Sequence, residues 1–314
     1  MKPRVAVSLC LLGEEVRHDG GHKRSRFATD VLAEYFEWAP VCPEVEVGMG
    51  IPREPIRLLA DGDEIRLIGI RSERDWTDEM AAYAEAKVAE LAGEDIDGFI
   101  LKKDSPSCGM ARVKLYNAKG MPTRDGVGAF ARVLMERMTT LPVEEEGRLN
   151  DAGLRENFIT RVYTYQRWRQ LLREGLTPGQ LVDFHTRHKL LLLAHSPKHY
   201  YEMGPLVAEA GARDLDELAA EYERLLMAGL AKPATKQRQV NTLHHLCGFL
   251  KDALDGEQKA ELLDVIEQYR RGVVPIVAPL TLLSAHLRRV NHPWVTRQLY
   301  LSPYPRELGL RSHV

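Results

Sequence analysis

Hydrophobic and polar positions keep two different rhythms in the two halves of this chain. In the first half, short apolar runs alternate with amphipathic stretches. Residues 5–9 read as a buried strand, 38–42 as a second, 65–70 as a third and 98–102 as a fourth. Between the last two, Met80, Ala84, Val88 and Leu91 recur at helical spacing. Thr77 is the predicted cap of that helix, with Asp78 and Glu79 in its first turn. Residues 29–37 and 125–138 read as further helices. Alternation of this kind predicts an α/β domain with a largely parallel sheet.

The second half is helix after helix. Thr177-Pro178 and Ser196-Pro197 are caps followed by proline at the first helical position. Leu154, Phe158, Val162, Tyr165 and Trp168 form one apolar stripe. Residues 215–230, 235–254, 258–271 and 279–290 carry the same period. With no convincing strand, this half predicts an all-α bundle of six to eight helices. The stretch 141–147 carries Pro, Gly and three consecutive glutamates, and reads as the linker. The expected domains are therefore 1–145 and 146–314.

Charge separates the halves further. Residues 1–150 hold 21 Lys+Arg against 27 Asp+Glu, whereas 151–314 hold 22 against 18 and nine of the 11 histidines. The overall net charge of −2 with 44% hydrophobic residues excludes a disordered chain and a strongly basic nucleic-acid coat. No apolar run approaches the roughly 20 residues that span a bilayer. The N-terminal apolar run ends at Glu14-Glu15 without a cleavage signature and reads as a first strand. Four cysteines are too few for a disulfide scaffold, so a reducing, cytoplasmic setting is expected.

Three of those cysteines stand out. Cys10 and Cys42 end the first and second strands, and Cys108 follows the fourth by a short loop. In an open parallel sheet the strand ends share one edge, where ligands bind. Cys247 lies on a helical apolar face and reads as core. Three thiolates with no evident fourth ligand allow a 4Fe–4S cluster with one iron free of protein. Spacing alone does not separate this from a three-coordinate zinc site.

The segments Ser8-Leu9-Cys10-Leu11-Leu12-Gly13, Val16-Arg17-His18-Asp19-Gly20, Cys42-Pro43-Glu44-Val45, Ile51-Pro52-Arg53 and Lys103-Asp104-Ser105-Pro106-Ser107-Cys108-Gly109 resemble, in order, those of the thiouracil desulfidase family. The stretches 181–190 and 194–200 resemble the helical domain often fused behind it, as in RNA desulfidases acting on 4-thiouridine in tRNA. The resemblance implies a 4Fe–4S cluster on Cys10, Cys42 and Cys108, a catalytic carboxylate at Glu44 and a catalytic serine at Ser105. Asp19 and Ser107 read as substrate-facing. Arg53 reads either as a phosphate ligand or as the partner of a surface acid.

The chemistry is consistent with that set. A Lewis-acidic iron polarises a thiocarbonyl sulfur, and a carboxylate at Glu44 takes a proton from the attacking water. The helical half offers cations interleaved with aromatics: Lys189, Lys198, His199, Tyr200, Lys236, Arg238, Arg288, Trp294 and Tyr300. Such a set suits phosphates and unstacked bases, and makes tRNA the expected partner. The leading expectation is a tRNA 4-thiouridine desulfidase. Its alternatives are a desulfidase of free thiouracil or thiolated nucleotides, and a non-enzymatic iron–sulfur RNA-binding sensor.

Overall fold

A computed structural model describes residues 2–62, 64–290 and 292–314. The chain divides into two compact units, Met1–Asn150 and Asp151–Val314.

The first unit is α/β and holds two four-stranded sheets. The first is parallel throughout, in the order β2-β1-β5-β8, from β1 (Arg4–Ser8), β2 (Glu37–Val41), β5 (Gly98–Leu101) and β8 (Val143–Glu145). Val5, Ala6 and Val7 are fully buried, as are Phe99 and Leu101. Unbroken apolar runs are what a strand covered on both faces requires. The second sheet, β4-β3-β6-β7, is mixed: β3 (Ile56–Asp61) runs antiparallel to β4 (Glu64–Gly69) and parallel to β6 (Val113–Tyr116), which pairs antiparallel with β7 (Pro122–Gly126). The short helix α1 (Pro43–Glu46) follows β2, and α2 (Thr77–Gly93) buries Met80, Ala84, Val88 and Leu91, the stripe read from the sequence. The third helix, α3 (Ala129–Arg137), packs against it.

Four expectations need correction. The 65–70 strand belongs to the second, mixed sheet. Thr77 does not cap α2; its hydroxyl accepts the Leu67 N–H at 2.9 Å, tying the helix to β4 instead. The helix expected over 125–138 starts only at Ala129, because Asp125 and Gly126 finish β7, where Gly126 lies against the Val113 carbonyl. The helix expected over 29–37 is two short turns, Phe27–Val31 and Leu32–Glu34, since the chain must be extended by Glu37 to enter β2.

The stretch read as a linker is also structured. Val143–Glu145 is a buried edge strand, and each glutamate of the charge run has a partner. Glu144 accepts from Arg148 Nε at 2.6 Å, Glu145 from the Met110 N–H at 2.9 Å, and Glu146 from the Lys103 N–H at 2.7 Å and from Lys102. A burial cost that would expel lone carboxylates is thereby offset.

The second unit is helical: α4 (Ala152–Arg173), α5 (Pro178–His195), α6 (Pro197–Ala208), α7 (Leu215–Leu230), α8 (Lys236–Gly248), α9 (Gly256–Arg271), α10 (Val277–Val290) and the short α11 (Pro293–Thr296). Thr177 caps α5 with Gln180 closing a capping box, as the Thr-Pro signal predicts. Its core is aromatic: Trp168, Phe184 and Tyr222 lie with ring centroids 4.9–6.1 Å apart. Glu156 is buried with Arg311 at 3.2 Å, and also accepts from Tyr304 Oη at 3.1 Å.

Candidate functional site

The carboxyl ends of the parallel strands open into a cavity of about 1200 Å³ in the first unit. Cys10, Cys42 and Cys108 all line it, with Glu44, Ser105 and Ser107. Cys10 sits on a 3-10 turn leaving β1, closed by Gly13 at φ 101°, a conformation that disfavours side chains. Cys42 is the residue before α1, and its N–H donates to Glu46 Oε1 at 2.9 Å.

Cys108 lies on a loop fastened to α3. The Gly128, Ala129, Phe130 and Ala131 N–H groups donate to the carbonyls of Gly109, Pro106, Ser107 and Ser107 at 2.8–3.1 Å. The loop thus satisfies donors that a helix start leaves without intrahelical partners. A Cβ on Gly128 would come within 2.6 Å of the Ser107 backbone, so only glycine lets the loop approach this closely.

All three thiols are free. Burial pushes the Cys10 thiol up to about 11, with the Lys102 ammonium opposing it. Burial raises Cys42 and Cys108 as well. Among the described residues no three His, Cys, Asp or Glu side chains gather closely enough to hold a single metal ion.

Glu44 does not cap its helix. One oxygen, Oε2, accepts from Arg53 Nη2 at 2.6 Å and Nε at 3.0 Å; the other, Oε1, accepts from Ser107 Oγ at 2.7 Å and lies 3.4 Å from Ser105 Oγ. Ser105 Oγ is 2.9 Å from Ser107 Oγ and accepts the Cys108 N–H at 3.1 Å. Ser107, read only as substrate-facing, is thus the closer hydroxyl to the carboxylate, and Ser105 shapes the loop. Arg53 pairs with a cavity carboxylate and not with a surface acid: its side chain is 5% exposed and held by Glu44 and by the Gly50 carbonyl at 2.9 Å. Asp19 lies off the cavity. Its carboxylate accepts the Gly21 N–H at 3.1 Å and closes a turn.

The helical residues expected to bind RNA are placed unevenly. Lys198 is exposed and 3.5 Å from Glu202, and Arg288 is exposed. Lys189 lies 5.9 Å from the Tyr200 ring, and Lys236 lies 5.6 Å from the Tyr269 ring. Arg238 donates to the His195 carbonyl at 2.8 Å and is a structural brace. His199 and Tyr300 are buried, so neither can stack on a base; the Tyr300 hydroxyl donates to Gln239 at 2.6 Å.

Residues 5–146 match the 2-thiouracil desulfurase family, and residues 189–305 match a protein family of unknown function, DUF1722. The chain is 30% identical over 153 residues to the uncharacterized protein YbbK of Bacillus subtilis (strain 168), covering 47% of this chain and 98% of that one. It is 31% identical over 157 residues to the uncharacterized protein YbgA of Escherichia coli (strain K12), covering 50% and 93%. The chain belongs to the 2-thiouracil desulfurase family. A solved structure of the 4Fe-4S-dependent thiouracil desulfidase TudS is 31% identical, covers 48% of this chain and 94% of its own, and has a TM-score of 0.38. In the terms of this family, the five motifs of the first half are the cavity walls, whereas Lys102 and the basic residues of the second sheet are contributions that motif reading missed.

Proposed function

We propose that the protein is an iron–sulfur-dependent desulfidase that removes sulfur from 4-thiouridine in tRNA, leaving uridine and hydrogen sulfide. The observation that carries this reading is the placement of Glu44, hydrogen-bonded to two serine hydroxyls, in the cavity lined by three free thiols. Cys10, Cys42 and Cys108 would hold a 4Fe–4S cluster. Three unpaired thiols around one cavity fit a group larger than a single ion, and a thiolate donor set is what such clusters use. When bound, the cluster supplies a Lewis-acidic iron that polarises the thiocarbonyl.

The remaining chemistry belongs to the chain. Glu44 Oε1 accepts a proton from the water that attacks the ring carbon. Ser107 holds that oxygen in place, and Arg53 keeps the other engaged so that the carboxylate cannot swing away. Ser105 relays through Ser107, its hydroxyl positioned to donate. The helical unit is read as the additional grip that a polynucleotide needs and a free base does not.

Anaerobic incubation of iron-loaded protein with bulk bacterial tRNA, followed by nucleoside analysis, tests this. Conversion of 4-thiouridine to uridine with sulfide release is expected. Turnover of free thiouracil with untouched tRNA would reassign the substrate to the small base. An iron-loaded protein that releases no sulfide from either substrate would leave the sensor reading.

A further inference from the structure

Tyr83 of α2 carries a polar atom that the chemistry above does not use. Its hydroxyl is shielded from water and makes no hydrogen bond. A buried donor without a partner costs free energy, and phenylalanine would fill the same space without that cost. The surroundings of the hydroxyl are the supports of two cysteines. The Tyr83 ring lies 6.1 Å, centroid to centroid, from that of Phe130, whose N–H donates to the Ser107 carbonyl at 3.0 Å, one residue before Cys108. One turn along the same face of α2, Lys87 pairs with Glu46 at 3.0 Å, and Glu46 accepts the Cys42 N–H at 2.9 Å.

The acidic groups that bear on the Tyr83 oxygen are accordingly Glu46, then Cys108, then Cys42. Glu46 already has a donor on each oxygen, the Cys42 N–H on Oε1 and Lys87 on Oε2. The two sulfurs remain as acceptors, Cys108 foremost. A neutral thiol accepts hydrogen bonds weakly. A thiolate that binds iron carries charge and accepts them well. An idle hydroxyl beside two thiols is therefore a donor that finds its partner when those thiols become ligands.

We propose that Tyr83 is a positioning residue for the cluster, its hydroxyl donating to the iron-bound sulfur of Cys108. This rests on the desulfidase reading for the presence of the cluster. Tyr83 is not part of the cavity lining, so it acts through the cysteine and never touches substrate. Donation to a ligand sulfur draws electron density from the iron. It favours the reduced cluster, whose sulfurs carry more negative charge, and it sharpens the Lewis acidity on which the thiocarbonyl depends.

Tyr83→Phe in the full-length chain tests this, with cluster-loaded and iron-free protein compared side by side. Neither readout is activity. In loaded protein the reduction potential, followed by absorbance in an anaerobic titration, should move to more negative values at unchanged iron content per chain. Loss of the cluster to a chelator should quicken several-fold. Iron-free Tyr83→Phe should unfold at the wild-type urea concentration or above it, because no hydrogen bond is lost there. A merely structural tyrosine gives the opposite pattern. An iron-free variant that unfolds at lower urea, with an unmoved potential once loaded, would assign the hydroxyl to Glu46 and overturn the proposal. A loaded wild type whose potential the variant reproduces overturns this inference alone. A wild-type chain that takes up no cluster overturns the desulfidase reading and this inference together.

Discussion

The two units use their most distinctive residues in opposite ways. In the α/β unit the motif residues surround open space: Cys10, Cys42, Glu44, Ser107 and Cys108 face one cavity. In the helical unit they fill the interior. Phe184 stacks on His188 with centroids 3.9 Å apart, His188 Nδ1 donates to the Phe184 carbonyl at 2.7 Å, and His195 Nδ1 donates to the Lys232 carbonyl at 2.8 Å. A recognisable string of histidines is therefore chemistry in neither its placement nor its exposure. Motif residues mark a cavity edge in one unit and a packing plan in the other, and only the fold tells the two uses apart.

The sharpest way to break this comparison is at Glu44. Glu44→Gln keeps the side chain's shape but removes its charge, and desulfidation should fall by about 10²–10⁴-fold. It also strands the buried Arg53, at a cost of about 3–5 kcal/mol. Rates should thus be read at low temperature on protein whose circular dichroism shows it folded. Unchanged turnover would remove Glu44 from the reaction.

Arg311→Met is the counterpart in the helical unit. It leaves Glu156 buried without its cation and should cost about 3–5 kcal/mol in urea unfolding. Turnover of a small thiolated base, per folded molecule, should not change. A large loss of that turnover would mean that the helical unit takes part in the chemistry.

Acid should distinguish the units more gently. Burial lowers His195 and His188, and lowers His185 to about 4. Each of these residues takes up its proton more readily when unfolded. Stability is therefore present above the unfolded value of about 6.5 and lost as pH falls from there toward the folded value. Near pH 5.5 the loss should be about 1 kcal/mol per histidine relative to pH 8. Urea midpoints across that range provide the measurement, and a flat profile would show these rings to be solvated.

The smallest expected effect is at the helical surface. Lys198→Gln with Lys236→Gln should move stability by no more than about 0.5 kcal/mol. It should raise the tRNA dissociation constant by about a few fold and make its salt dependence shallower. Unchanged tRNA binding across a salt titration would show that the helical unit's grip does not lie on these two lysines.

Legibility in the sequence followed the length and regularity of each signal. The α7 helix and the apolar stripe of α2 were plain because several turns repeat one period. Strand ends were equally plain, and with them the edge that collects Cys10, Cys42 and Cys108. The second sheet was largely missed. Its strands are short, and Arg57 and Lys114 alternate with apolar neighbours in a way that a solvated surface would also produce. The Glu144-Glu145-Glu146 run reads as a linker because charge normally marks solvent; only the partners supplied by Arg148, Met110 and Lys102 make it an interior segment. The preference for Ser107 over Ser105 beside Glu44 was invisible, since a difference between 2.7 and 3.4 Å depends on how a loop closes on a helix.

That closure has a consequence for time as well as for place. The amides of Gly128, Ala129, Phe130 and Ala131 are sealed by the Cys108 loop at 2.8–3.1 Å, so the loop and the first turn of α3 have to open together or not at all. In deuterium these four amides should exchange slowly and at one common opening rate, on a clock set by the α3 core around Phe130 and Leu134. The segment 14–26, which also lines the cavity and has little regular structure to lose, should exchange first. Traffic into and out of the cavity would then pass on that side, while the wall behind Cys108 stays shut for as long as the domain remains folded.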